Sequence, residues 1–395
     1  MQVFVDNTAI QSAGGFLEGK TVDVVNLHEL LQLATLLAFA DRLVVDSYGD
    51  DVVVLATPTS EVRARLLGLG VTPETLELNR VDDTTFVATC ESAAKRCADD
   101  LELAFNPRAE TLPGLYPSGL RTAIISTQVE IIRRLLTPGM SDSELNEHRE
   151  QALSSKKLGA AAFMLCSCES LRHAASRQMS RWPRSDGTLI QLDMFCRAYF
   201  NDSLASSYQA RYTPAVSRAH LLRKDNAFLV SHLAGVVDQA VRKLRDVPLG
   251  VPSIAGYLIL KAKGDPAALI SEAVRLRDKT QDLRHWLSSK TDALDLHDSG
   301  SKYEANKVIR ELSTLLEKEL GLVAAPRLRD ALELSFVLGL PAPNLSGTDL
   351  LDWLEYRWKK RKVIVLTELS KSLAFADDVA MYYQRLLRTS SGPGA

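Results

Sequence analysis

The stretch Gln2-Val3-Phe4-Val5-Asp6-Asn7 opens the chain with a short apolar run that ends on a carboxylate. A leucine-rich segment follows from Asn26, and a second apolar run, Leu43-Val44-Val45, ends on Asp46. Strands that alternate with helices are typical of a parallel sheet with helices on its faces. This stretch therefore predicts an α/β fold, with a small and mostly parallel sheet, for the N-terminal part of the chain.

The same pattern continues to about residue 104. We predict a buried helix over 27–40 with Asn26 as its N-cap, and a helix over 84–104 with Asp83 as its N-cap. Two further strands are predicted at 52–55 and 75–81.

A proline- and glycine-rich segment at 106–119 then marks a linker, beyond which helical patterns dominate. The predicted division is an α/β domain over 1–110, a larger helical domain over 111–340 and a small helical C-terminal unit over 341–395.

Composition limits the class of protein. The 395 residues are 46% hydrophobic and 24% charged, as in soluble globular proteins. No apolar run approaches the roughly 20 residues that a membrane span needs, and no secretory signal is recognised, so we expect a cytoplasmic protein without a membrane partner. Five scattered cysteines suit a reducing compartment. Cys166, Cys168 and His173 lack a second ligand pair at zinc spacing.

Carboxylates follow the predicted strands. Because the carboxyl ends of parallel strands meet at one edge of a sheet, we expect Asp6, Asp46, Asp82 and Asp83 to converge there as candidate catalytic residues. Clustered carboxylates repel one another unless a cation neutralises them, and Mg²⁺ or Mn²⁺ prefers oxygen ligands. Asp6, Asp46 and Asp83 are the predicted metal ligands. The alternative is that each aspartate caps a helix or closes a turn.

The segment Val3-Phe4-Val5-Asp6-Asn7-Thr8-Ala9-Ile10 resembles the opening strand of the PIN-like nucleases, in which an apolar strand runs into Asp-Thr-Asn. Here the order is Asp-Asn-Thr, and the resemblance covers about the first 110 residues. It implies metal-dependent cleavage of RNA or DNA with Asp6 in the site, or a relative that has lost this activity. The competing hypothesis is a non-enzymatic helical protein that docks a partner in a multi-component bacterial system, for example a defence system.

Charge is unevenly distributed along the chain. Residues 1–110 carry 18 acidic and 8 basic residues, a net charge of −10, which leaves +8 for the remainder. Arginines interleaved with aromatic residues at 171–224 would suit phosphates and bases, and the cluster at 357–362 would suit phosphates or an acidic protein partner. The alternatives are ion pairing between the two halves and an ordinary solvated face. The candidate nucleic-acid-binding residues are Arg172, Arg177, Arg181, Arg184, Arg211, Arg218, Arg223, Lys359, Lys360, Arg361 and Lys362.

Overall fold

The computed structural model describes residues 2–20, 22–48, 50, 57–105, 122–137, 139–155, 159–181, 186–215, 254–279, 281 and 376–389. The strand predicted at 52–55 and the basic cluster at 357–362 lie outside these residues. So do Arg184, Arg218 and Arg223 of the candidate nucleic-acid-binding set.

Four parallel strands form a sheet in the order β3-β2-β1-β4. In the register of this sheet, Phe4 lies between Val44 on one side and Tyr212 on the other. The predicted fold class, a small parallel sheet in the N-terminal part followed by a mainly helical region, is confirmed. The strands are β1 Gln2–Val5, β2 Arg42–Asp46, β3 Leu76–Asn79 and β4 Arg211–Thr213.

Helices make up the rest of the described elements. The first four are α1 Asn7–Leu17, α2 Val24–Phe39, α3 Thr59–Gly68 and α4 Asp83–Ala104. Five more precede β4: α5 Thr122–Leu135, α6 Asp142–Ser155, α7 Gly159–Ser167, α8 Glu169–Arg181 and α9 Asp186–Ser207. Three follow it: α10 Ile254–Ala262, α11 Pro266–Lys279 and α12 Ala376–Thr389. Within the described ranges, no helix is both long and apolar enough to cross a membrane.

The two faces of the sheet bury different sets of helices. Phe4 and Val44 point to a core formed with α4 to α9, and in it Cys90 and Cys97 are fully buried. Val3 and Val45 point to the opposite core, formed with α1 to α3 and with α10, α11 and α12. Because successive residues of a strand face opposite ways, one short apolar run serves both cores.

Two predicted N-caps are displaced by a short distance. Asp23, not Asn26, caps α2: the Asn26 amide donates to Asp23 Oδ1 at 2.7 Å. Asp82, not Asp83, caps α4, since its Oδ1 accepts from the Thr85 amide at 2.7 Å. In both helices the N-cap carboxylate accepts a hydrogen bond from the amide three residues later, which is the usual N-cap geometry.

The sheet is not confined to residues 1–110. Its fourth strand, β4, comes after α9 and pairs with β1. The chain therefore leaves β3, passes through α4 to α9 on one face, and returns to the far side of β1. The division at residues 110 and 340 stays a prediction, but the α/β layer itself includes residues beyond the first of these boundaries.

Candidate functional site

Asp6 and Asp46 lie at the same edge of the sheet. The register that pairs Phe4 with Val44 places Asp6 beside Asp46 when it is continued by two positions. Neighbouring strands lie about 4.8 Å apart, and residues two apart share a face. Both aspartates therefore lie on the face that Phe4 and Val44 share. Because β2 runs parallel to β1, Asp46 ends its strand at the same edge as Asp6 and not at the opposite one.

Asp6 is fully buried and accepts hydrogen bonds at both carboxylate oxygens. Its Oδ1 accepts from the Thr8 amide at 2.8 Å, which makes Asp6 the N-cap of α1. Its Oδ2 accepts from Asn201 Nδ2 at 3.0 Å and from the Tyr212 hydroxyl at 2.5 Å. The predicted Asx-type role of Asp6 is thus present, together with two donors from distant parts of the chain.

Asp46 is also fully buried. Its Oδ1 accepts from the Tyr48 amide at 2.6 Å, and its Oδ2 accepts from the Val81 amide at 3.0 Å and from the Tyr208 hydroxyl. Burial raises the pKa of Asp46 above its ordinary value, and these hydrogen bonds act in the opposite direction. Among the described residues, no lysine or arginine forms an ion pair with Asp46.

Asp82 and Asp83 follow β3 and reach the same edge of the sheet, but both side chains are exposed. The Thr85 amide bonded to Asp82 lowers the pKa of that carboxyl. The pKa of Tyr208 is raised by burial first, then by Asp46, and also by the charge of Asp82. In the part of the chain that the structure describes, no group of three or more His, Cys, Asp or Glu side chains is placed to hold a metal ion.

The topology singles out the position of Asp6. The chain moves from β1 to β2 to β3 in one direction, whereas β4 lies on the other side of β1. Ligands of open parallel sheets bind at such a switch in strand order, outside the carboxyl ends of the strands. Asp6 directly follows β1 at this point, and Gln32 Nε2 donates to the carbonyl of Pro214 just after β4, at 3.2 Å.

The donor atoms at this edge suit a hard cation in their chemistry. Asn7 Oδ1, next to Asp6, is buried and has no hydrogen-bond partner among the residues that the structure describes. Mg²⁺ uses one or two carboxylates together with several waters. Asp6, Asp46 and Asn7 are thus the residues that would hold an ion at this edge. The carboxylate oxygens of Asp6 and Asp46 already accept hydrogen bonds from protein groups, so an ion would have to displace some of these donors.

The arginines predicted to bind nucleic acid lie on two different elements, α8 and β4, where the structure describes them. Arg172 Nη1 donates to the carbonyls of Leu165 at 3.1 Å and Cys166 at 3.4 Å, and so closes the end of α7. Arg177 and Arg181 are exposed on α8, and Arg211 is half-buried on β4. Arg172 therefore has a structural role that explains its place in the sequence.

Sequence reasoning missed three residues that complete the site, namely Asn201, Tyr208 and Tyr212. They lie about 200 positions after Asp6, at the end of α9, in the turn after it and on the three-residue strand β4. A strand of that length shows too little alternation to be recognised. Tyr208 and Tyr212 belong to the aromatic residues of 171–224, for which the sequence predicts only contact with bases.

Comparison with known proteins finds no matching family model, curated protein or solved structure. The resemblance to PIN-like nucleases therefore rests on the residues of β1 and the start of α1.

Proposed function

We propose that this chain is a PIN-like, metal-dependent nuclease that acts on RNA or DNA at the carboxyl edge of its sheet. The observation that supports this most directly is the position of Asp6 at the switch in strand order, with Asp46 beside it on the next strand. The site residues of the proposal are Asp6 and Asp46, with Asp82 and Asp83 on the exposed rim of the same edge.

The electrostatics of the buried pair favour a cation. Two carboxylates on adjacent strands repel each other, and burial makes their charges costly. Asp46 has no cationic side chain as a partner within the described ranges, and hydrogen bonds from neutral groups stabilise its charge only in part. A divalent ion would neutralise both carboxylates, and when bound it supplies an activated water and stabilises charge on the phosphate.

Asp6→Asn tests the proposal. The change keeps the size of the side chain and a good helix N-cap but removes one negative charge at the switch point. We expect cleavage of single-stranded RNA or DNA with Mn²⁺ to fall about 100-fold or more, and to disappear for the wild type in a chelator. Asp23→Asn is the matched control, since it makes the same exchange at the N-cap carboxylate of α2, which is not a site residue, and should leave cleavage within about twofold. Unchanged cleavage by Asp6→Asn would rule out the site.

One observation favours a second candidate, a relative that has lost cleavage and acts by docking a partner. Asp6 and Asp46 are fully buried, and each already accepts at least three hydrogen bonds from described residues, as expected of carboxylates that serve the fold. For this candidate, no divalent ion supports cleavage, and Asp6→Asn changes only stability. Nucleic-acid binding without cleavage would then depend steeply on salt if phosphates are contacted, and weakly if the partner is a protein surface.

A further inference from the structure

One short segment supplies three side-chain donors to the two buried carboxylates. Asn201 on α9 and Tyr212 on β4 bind Asp6, and Tyr208 between them binds Asp46. The helical layer and the sheet are therefore joined at the candidate site by hydrogen bonds whose acceptors are the predicted metal ligands.

The two tyrosine rings are held independently of their hydroxyls. The ring of Phe4 lies 5.8 Å from that of Tyr208 and 6.2 Å from that of Tyr212, measured between centroids. Phe4 itself is fully buried in the core beneath the edge. A hydroxyl can therefore be removed at either position while the ring keeps its packing.

On these grounds we propose that Tyr208 and Tyr212 are positioning residues, which hold the carboxylates of Asp46 and Asp6 in place and compete with a divalent cation for them. The inference rests on the proposed function, since it concerns the same carboxylates. Residues after position 200 would then take part in the site, in addition to those of the N-terminal motif.

Competition follows from the number of lone pairs. A carboxylate oxygen has two acceptor sites, and Oδ2 of Asp46 already receives the Val81 amide and the Tyr208 hydroxyl. Oδ2 of Asp6 receives Asn201 and Tyr212 in the same way. The Val81 amide is fixed by the backbone, whereas a hydroxyl proton turns away by rotation about one bond. The tyrosine hydroxyls are thus the donors that a cation displaces with the least rearrangement.

The test measures cation binding directly, without activity. Full-length wild type, Tyr208→Phe, Tyr212→Phe and the double variant are titrated calorimetrically with Mn²⁺ alone. Tyr199→Phe is the matched control, because the Tyr199 hydroxyl donates to Asp100 Oδ2 at 2.7 Å between α9 and α4, where neither Asp6 nor Asp46 takes part. Circular dichroism establishes that each variant is folded.

We expect about tenfold tighter Mn²⁺ binding for Tyr208→Phe or Tyr212→Phe than for wild type, because a charge-assisted hydrogen bond no longer competes. Tyr199→Phe should match wild type. Mg²⁺ should also change the ultraviolet difference spectrum of tyrosine in the wild type and not in the double variant.

Two results would overturn the inference in different ways. Equal or weaker binding by the phenylalanine variants, with wild-type binding abolished by Asp6→Asn, refutes the competition and leaves the proposed nuclease site intact. If neither the wild type nor any variant binds Mn²⁺, both the inference and the proposed function fail.

Discussion

His28 Nε2 lies 3.1 Å from the hydroxyl of Tyr383, a residue 355 positions further along the chain. This contact joins α2, which packs on the sheet, to α12 at the far end of the described residues. Burial lowers the pKa of His28 from 6.5 to about 4. The folded chain therefore favours the neutral form of the His28 imidazole.

Stability should fall as the pH falls from about 6.5 to 4. In this window the unfolded chain binds a proton at His28 that the folded chain does not, so acid favours unfolding, by about 3 kcal/mol once both pKa values are passed. Thermal unfolding measured across this range checks the loss. His28→Gln should remove this component of the pH dependence. His173→Gln, at a side chain that is 65% exposed, should not.

Gly14 allows α1 to approach α3 closely. A Cβ atom at this position would lie 2.2 Å from Val62 Cγ2, and both residues are buried. We expect Gly14→Ala to cost about 1–3 kcal/mol of unfolding free energy, because the helices must separate. Gly68→Ala, with open space around its Cβ, should be neutral or slightly stabilising. In a double-mutant cycle, Gly14→Ala should cost much less unfolding free energy in the Val62→Ala background than in the wild type. Additive effects of the two substitutions would contradict the clash.

Arg277 links α11 to the C-terminal end of α2 through hydrogen bonds. Its Nη1 donates to the carbonyl of Leu37 at 3.1 Å and to that of Ala40, and its Nη2 donates to that of Asp41. Lysine has a single ammonium group and cannot reproduce this fork.

Arg277→Lys should therefore lower the unfolding free energy by about 1–2 kcal/mol in urea denaturation. Arg275→Lys is the control on the same helix, since its side chain is 68% exposed and pairs with Glu272 at 3.2 Å. It should change stability by less than about 0.5 kcal/mol. Equal effects of the two substitutions would show that the carbonyl contacts of Arg277 contribute nothing.

A fragment that ends at residue 110 should not fold cooperatively. It lacks β4 and the helices α5 to α9, so Phe4, Val44 and the inner face of α4 would be exposed to water. We expect a broad, non-cooperative thermal profile by circular dichroism, whereas the full chain unfolds in a defined transition. A fragment ending at residue 215 restores β4 and that helical layer, and should regain dispersed amide signals. A sharp transition in the shorter fragment would show that the first 110 residues are independent.

Local pattern was enough to predict the first three strands and much of the helical content. Val3 to Val5 and Leu43 to Val45 are apolar runs bounded by polar residues, and both are strands. The apolar residues Leu269, Ala273 and Leu276 recur at helical spacing, and all three are buried in α11. In each case the information lies within a few neighbouring residues.

The parts that sequence could not predict depend on contacts between distant residues. The start of β1 indicated that Asp6 ends a strand, but nothing near it shows that Asn201 and Tyr212 will bind its carboxylate. The helix α1 was also missed, because two adjacent glycines, Gly14 and Gly15, disfavour a helix in local terms. Packing against α2 and α3 overrides that preference. Contacts between distant residues likewise determine that Asp6 and Asp46 are buried while Asp82 and Asp83 are exposed.

The position of β4 late in the sequence affects the nascent chain during synthesis. Tyr212 is made 206 residues after Asp6, which at ribosomal speeds of about 5–20 residues per second is a delay of about 10 to 40 s. Throughout that interval Asp6 and Asp46 have neither of their tyrosines, and the outer side of β1 has no neighbouring strand. The order of translation therefore delays completion of the acidic edge until more than half of the polypeptide has emerged.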